Sequence, residues 1–326
     1  MAVSKALRNH TDIGAETKER VLKRAAELNY RIDWVARSLV TGRTFLVGLV
    51  VPDLMQTFFA EIATAVAATL APAGYHVVIS HTGENAKEEL TNIEILVSRK
   101  VDGLIIASAQ RNGKSFEKLK VPYVLIDRTL PGLDANYVGT QNEEIGFLAT
   151  DHLIQQGCRR IAHLRGPKLS TSAGRERGYS KALEKHDLKA CKGFIVETGH
   201  DDVAGYTGMK QLLALDAPPD GVFCFNDPVA IGAMRAILEA GLSVPRDVAL
   251  IGVANMHYSD FMAIPLSTVD QGTSLMGRQA AQRLLNLMTA ERMPAPDKSY
   301  IAPQLIIRAS SQRLAIRKST KAAARV

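Results

Sequence analysis

At 326 residues, 46% apolar and 22% charged, the chain has the make-up of a soluble globular protein, long enough for a small module beside a two-lobed core. No apolar run reaches the 18 residues of a membrane span, and the charged N-terminus lacks the apolar segment of a secretory signal. The formal charge of +7 is unevenly placed: residues 1–43 hold nine Lys/Arg against five Asp/Glu, the last fourteen hold five basic and no acidic residues, and the stretch between them carries −2. The ends of the chain, not its body, have the charge to meet a polyanion.

In chain order, Val3, Ala6 and Leu7 fall on one face of a short helix, followed by a turn at Asn9–Gly14. A second helix runs from about Ala15 to Leu28 with Val21, Ala25 and Leu28 on one face, and a third segment, Trp34–Leu39, precedes a polar link at Thr41–Thr44. A small basic helical module suits nucleic acid, because Lys and Arg displace counterions condensed on phosphates. A solvated basic arm accounts for the same pattern.

From Phe45 onward the rhythm changes. Strand candidates at Phe45–Val51, Tyr75–Ser80, Gly103–Ala107, Tyr123–Ile126, Ile161–Leu164, Gly221–Phe225 and Val248–Ile251 alternate with helical stretches at Phe59–Leu70, Lys87–Val97, Glu143–Gln156, Val203–Leu213 and Val229–Ala240. Continuous apolar strands spaced by amphipathic helices predict parallel sheets covered on both faces. A break in the rhythm near Thr140–Gly146 divides them into two doubly wound lobes, with the ligand site beyond the carboxyl ends of the strands, in the cleft between lobes.

Several residues at these strand ends have the chemistry of a polar-ligand site. Phe58 and Phe59 open a helix just after a strand; an aromatic there can stack on a sugar ring or base, and Phe59 is assigned to the core and Phe58 to the pocket. Asp127 and Arg128 follow Tyr123–Ile126, where a carboxylate and a guanidinium fork suit a polyol, or pair with each other. Asn226 and Asp227 follow Phe225; Asn226 reads as a ligand amide and Asp227 equally as the cap of the next helix. His163, His200 and His257 read as solvated or satisfied histidines. No Ser/His/Asp spacing, phosphate-binding loop or HExxH motif is present, so no catalysis, cofactor or metal is expected. Cys158, Cys191 and Cys224 lack metal spacing and read as reduced, buried thiols of a cytoplasmic protein.

The segments VSKALRN, ETKERVLKRAAELNY and VARSL followed by TGRT resemble the second half of the DNA-binding headpiece of the LacI/GalR family of bacterial transcription regulators. Further on, PDLMQTFFAEI, RKVDGLII, LIDR, GCRRIAHLRGP, GRERGY, FCFNDPVAIGAMRAILEAGLSVPRDVALIG, PLSTVDQ and LIIR resemble segments of that family's regulatory core. The resemblance implies an α/β protein: two doubly wound parallel-sheet lobes of the periplasmic-binding-protein type, preceded by a partial helix-turn-helix headpiece. Residues 1–44 would be headpiece and hinge, and 45–313 the effector-binding core. Within the core, 45–146 plus 271–302 would form the N-lobe and 147–270 plus 303–313 the C-lobe, with 314–326 a basic tail. Carried over by position, Val3, Ser4 and Lys5 would lie in the recognition helix, Leu39 would be the minor-groove wedge, and Ala36 and Arg37 would precede it on the hinge. Arg175 in GRERGY matches the effector-contacting arginine, with Arg177 a surface decoy, and Gln271 matches a ligand-facing position on the last crossover. With Phe58, Asp127, Arg128, Phe225 and Asn226 these form the expected effector site.

Three departures qualify the resemblance. The family's first helix would precede Ala2, which implies a misplaced or truncated start. Ile32 and Trp34 stand where the family often has prolines. The family's Gly-Tyr-Asp-Asp pattern reads Gly252-Val253-Ala254-Asn255, removing a carboxylate that commonly grips sugar hydroxyls and favouring a sugar acid over a neutral sugar. The expected function is a ligand-responsive regulator acting as a homodimer on operator DNA, not at a membrane. A solute-binding protein, or a regulator remnant that senses ligand without DNA, are the alternatives.

Overall fold

A computed structural model describes residues 6, 13–30 and 34–313, and the chain divides into two compact units, Met1–Phe45 and Leu46–Val326. Val3, Ser4, Lys5, Ile32 and the 314–326 tail lie outside the described residues. In the first unit, helix α1 (Ala15–Glu27) begins after Gly14 and carries an exposed Arg24–Glu27 ion pair at 2.8 Å. It buries no residue: Val21 and Ala25 are half-buried, whereas Leu28, expected on the same buried face, is exposed. Helix α2 (Trp34–Thr41) runs two residues beyond the expected Leu39, and leaves Ala36, Leu39 and Val40 exposed to solvent.

The second unit holds two six-stranded sheets. The first comprises β1 (Leu46–Val51), β2 (His76–His81), β3 (Gly103–Ile106), β4 (Tyr123–Ile126), β5 (Tyr137–Thr140) and β11 (Lys298–Ile301), in the order β11-β5-β4-β3-β1-β2, all parallel. The second comprises β6 (Ile161–Leu164), β7 (Ile195–Val196), β8 (Gly221–Cys224), β9 (Ala249–Val253), β10 (Ser267–Asp270) and β12 (Gln304–Ile306), in the order β12-β10-β9-β8-β6-β7, with β12 antiparallel to β10. The central strands are continuous apolar runs (LVGLVV, GLII, GVFC) buried along nearly their whole length, as a sheet covered on both faces demands. On the first sheet pack α3 (Thr57–Leu70), α4 (Ala86–Ser98) and α9 (Thr273–Thr289); on the second, α5 (Asn142–Gln155), α6 (Ser170–Lys185), α7 (Asp202–Leu213) and α8 (Asp227–Glu239).

The chain passes between sheets after β5, after β10 and between β11 and β12. The first passage falls at Gln141, five residues before the expected boundary, because Ile145 of α5 packs into the second sheet's core with Leu153, Tyr179 and Phe223. Five strands were not legible from pattern: β7 has two residues, and β5, β10, β11 and β12 are short and mix polar with apolar positions. Helix α6 escaped for a related reason, since STSAGRERGYSKALEK carries few apolar residues. Of the cysteines, Cys158 and Cys224 are buried, but Cys191 is exposed in the loop before β7, so the expectation of three buried thiols is corrected there; all three are free.

Glycines let the helices of the second sheet meet backbone to backbone. A Cβ on Gly178 of α6 would lie 1.9 Å from the carbonyl oxygen of Glu143 in α5, and one on Gly232 of α8 would lie 1.8 Å from that of Asp202 in α7. Neither neighbour is a side chain that could swing aside. Gly178→Ala is therefore expected to cost about 1–3 kcal/mol of stability through overpacking, seen as a lower urea midpoint with the unfolding slope unchanged.

His163 on β6 is fully buried, stacked on Phe223 with ring centres 4.4 Å apart, with Nδ1 3.0 Å from the Phe223 carbonyl oxygen. Burial drives its pKa down to about 3. The unfolded chain therefore takes up this proton first, and stability falls as pH drops from about 6.5 toward 3, by about 1.4 kcal/mol per pH unit for one proton. His163→Phe should shallow the acid limb of a stability–pH curve by that one-proton slope; an unchanged slope would show that other groups set it.

Candidate functional site

The carboxyl ends of β1, β4, β8 and β9 and the first turns of α3, α6 and α8 enclose a narrow cleft between the two sheets. Its walls include Phe58, Asp127, Arg128, Arg175, Phe225, Asn226 and Gln271, so the seven residues expected at an effector site share one cleft, together with Gln56, Thr171, Pro228 and Met256. The open space is about 40 Å³, room for a few waters, because the polar side chains hold one another.

Arg175 is the centre of that mutual hold. It projects from α6 and is 3% exposed. Its Nε donates to Asn142 Oδ1 at 3.1 Å, one amino group to the Phe225 carbonyl oxygen, and the other to Gln271 Oε1 at 2.8 Å. The guanidinium also lies 4.7 Å from the Phe225 ring centre, a cation–π contact. Asn142 opens α5 just after the first passage between lobes and Gln271 stands on the second, and Thr140 Oγ1 donates to the Gln271 carbonyl oxygen at 3.3 Å. One guanidinium thus ties both passages to the end of β8. Burial lowers its pKa to about 10, with Asp127 opposing the shift; it remains cationic at neutral pH.

Asp127 sits just past β4 with φ +65°, a left-handed conformation held by Tyr137, whose hydroxyl donates to the Asp127 carbonyl oxygen at 3.0 Å. Burial raises its carboxyl pKa, against the pull of Arg128 and Arg175. Arg128 turns from the cleft centre: its fork meets both carboxylate oxygens of Glu84, at 2.8 and 2.6 Å, with Asp127 Oδ2 3.4 Å from Nε. Glu89, fully buried on α4, accepts from Ser108 Oγ at 2.6 Å and from the Ala109 amide. Neither glutamate was singled out from sequence. Each lies roughly forty residues from Arg128, and no local pattern joins them.

The cap role offered to Asp227 belongs to Asn226, and Asp227 is a buried brace that does not line the cleft. Asn226 is the cap of α8, accepting from the Val229 amide at 2.9 Å, while its amide nitrogen donates to the His200 carbonyl oxygen at 2.8 Å. Asp227 is fully buried and accepts from Thr268 Oγ1, the Met256 amide and Ser259 Oγ at 2.7, 2.9 and 2.8 Å, bracing α8 against the loop after β9. That loop carries Ala254 at φ +121° and Asn255 at φ +54°. Asn255 is held by Asp270 and Arg308, so no carboxylate enters the cleft from this loop. Phe58 lies edge-on to Phe59 at 5.0 Å, with Phe58 8% and Phe59 2% exposed; both also line the cleft. Thr171, overlooked because α6 was not expected, lines the cleft with a buried Oγ1 that has no hydrogen-bond partner.

Few polar contacts bridge the lobes along the cleft. Ser170 Oγ accepts from the Thr129 amide at 3.1 Å, and His200 Nε2 stands 3.7 Å from Asp53 Oδ2. Among the described residues no cluster of His, Cys, Asp or Glu could hold a metal, and no helix is long and apolar enough to cross a membrane. The Asp227 brace is testable: Asp227→Asn places an amide where three donors converge, and is expected to destabilise by about 2 kcal/mol or more, read as a shift of the urea midpoint.

Comparison with known proteins agrees with this architecture. Residues 150–311 match the periplasmic binding protein-like domain family. The chain is 33% identical over 313 residues to the HTH-type transcriptional repressor PurR of Pasteurella multocida, covering 94% of this chain and 93% of the relative. The lac repressor dimer bound to operator and the anti-inducer ONPF superposes with a TM-score of 0.84 at 26% identity, covering 95% of this chain and 94% of that one. The transcriptional regulator CelR–cellobiose complex superposes with a TM-score of 0.75 at 26% identity, covering 94% of each chain. With two parallel-sheet lobes, a helical N-terminal region and full-length relatives of this kind, the chain belongs to the LacI/GalR family of ligand-responsive, DNA-binding transcription regulators.

Proposed function

We infer that this regulator senses a small polar molecule, a sugar or sugar acid, in the cleft between its lobes, and that it acts on operator DNA as a homodimer. The observation that carries the reading is the Arg175 junction. A ligand that competes for this guanidinium or for Gln271 alters the bonds that tie the passages between lobes to β8. A ligand changes DNA affinity only through differential affinity for two arrangements of the protein, and the bonds it would exchange are the ones that define those arrangements. Phe58 offers an apolar ring to a pyranose or furanose. Ala254 in place of a carboxylate, with Arg175 cationic, favours an acidic sugar over a neutral one.

In the headpiece, Leu39 is 83% exposed on α2, which suits the expected apolar wedge in the minor groove; Ala36 precedes it. Val3, Ser4 and Lys5 are proposed for the major groove on resemblance. The homodimer is supported by apolar residues left exposed on the core: Val78 and Ile79 on the edge strand β2, and Tyr258 and Phe261 after β9. A cytoplasmic location follows from this function.

A salt-titrated binding assay with DNA from the chain's own chromosomal neighbourhood, with and without neutral sugars and sugar acids, tests the reading. A sugar acid is expected to change DNA affinity by tenfold or more in the native chain, and Arg175→Met is expected to abolish the change. Loss of DNA affinity in Leu39→Ala checks the wedge. Tighter binding of neutral sugars than of acids would refute the acidic preference, and DNA affinity indifferent to every ligand in the panel would refute the sensing role.

A further inference from the structure

Beside the cleft lies a second cavity, of whose wall residues Arg128 alone belongs to the expected effector contacts. It has about 370 Å³ of open space and also spans the lobes, between the ends of β3 and β4 on one side and the end of β6 and start of α6 on the other. Four of its wall residues are cations, Arg111, Arg128, Arg165 and Lys168, and no carboxylate lines it. The acidic partners stand behind the wall. Glu84 holds Arg128, and Glu176 and Glu197 hold the two amino groups of Arg165 at 3.0 and 2.9 Å. They hold the guanidiniums without lining the cavity.

Three further features mark the cavity as a place for negative charge. Helix α6 is 16 residues long and starts there without a side-chain cap, so its first-turn amides add to the positive end of the helix dipole. Arg165 Nε is buried and has no hydrogen-bond partner. Arg111 is exposed and has no acidic partner among the described residues, and Lys168 is 68% exposed with Glu197 at 3.5 Å. Arg128 lines both this cavity and the cleft that holds Arg175. A single small molecule could therefore place its polyol in the cleft and a charged substituent in the side cavity.

We propose that the side cavity is an oxyanion subsite, and that the effector carries a tetrahedral or carboxylate anion, bound by Arg111, Arg165, Lys168 and the start of α6. The proposal rests on the effector reading above and sharpens it to an anionic polyol. Because the donors come from both lobes, the anion also bridges them, adding to the Thr129–Ser170 and Asp53–His200 contacts. Donors facing inward from several directions match a tetrahedral dianion better than a planar monoanion.

The test is calorimetric titration of the full chain with inorganic phosphate and with acetate, at ionic strength held constant with chloride. Phosphate is expected to bind saturably in the millimolar range and more tightly than acetate. The double substitution Arg111→Ala/Lys168→Ala removes two exposed side chains, so the fold is retained, and thermal melts verify this. It should weaken phosphate at least tenfold, whereas Arg177→Ala, whose guanidinium pairs with Glu143 outside the cavity, should leave it unchanged. Absence of saturable phosphate binding, or equal binding to the native and doubly substituted chains, overturns the subsite. A neutral polyol is titrated in parallel. If it, or a sugar acid of the panel above, binds and shifts DNA affinity while phosphate does not bind, the subsite fails and the sensing role stands; if phosphate, the polyol and every sugar acid fail to bind, both fall.

Discussion

The Arg175 guanidinium is the interaction on which the rest of the core depends. It is a buried cation with three hydrogen-bond acceptors drawn from three separate places: α5 just after the first passage, Gln271 on the second, and the end of β8. A guanidinium suits this position because its planar fork can serve several acceptors at once and it stays charged when desolvated. A lysine there would carry its three donors on one atom instead of spreading them across a planar fork. The arrangement is also conditional, since every acceptor is one that a hydroxylated or acidic molecule could supply in its place. A cleft closed on itself in this manner is poised for exchange, with binding replacing internal bonds rather than filling a preformed void.

Around that junction the carboxylates divide into two kinds. Glu84, Glu89 and Asp227 are occupied by bonds within their own lobe and give each strand end its shape. Asp127 differs: its backbone is fixed by Tyr137, but its carboxylate faces Arg128 at a longer 3.4 Å and lines the cleft. The same distinction separates Arg128 and Arg165, whose forks are engaged by glutamates, from the exposed Arg111 and Lys168 of the side cavity. Position at a strand end brings a residue to the cleft; what stands behind it decides whether it is free to meet a ligand.

That second condition is what the sequence could not disclose. The central strands and most helices were legible because burial on both faces demands long apolar runs, and their predicted limits fall within two residues of those found. Phe58, Asp127, Arg175 and Gln271 were placed in one cleft by strand ends and by resemblance. That Asn226 and not Asp227 caps α8 was not legible, because a cap and a brace use the same residue types one position apart, and the brace's partners, Thr268 and Ser259, are distant in sequence. Helix α6 was overlooked because its face toward the core is built from glycine and tyrosine rather than a periodic row of aliphatics, and Thr171 and the side cavity were lost with it.

The glycine contacts of α5 with α6 and of α7 with α8 carry a consequence for how a signal crosses the molecule. Helices in backbone contact cannot slide by small rotamer changes, since there are no side chains between them to repack. The lobe built on the second sheet therefore moves as a solid, and deformation is concentrated in the three strands of chain that join it to its neighbour. Substitutions deep within that lobe should change how much protein a cell retains, while those on the joining strands should change what the protein says to DNA when its ligand arrives.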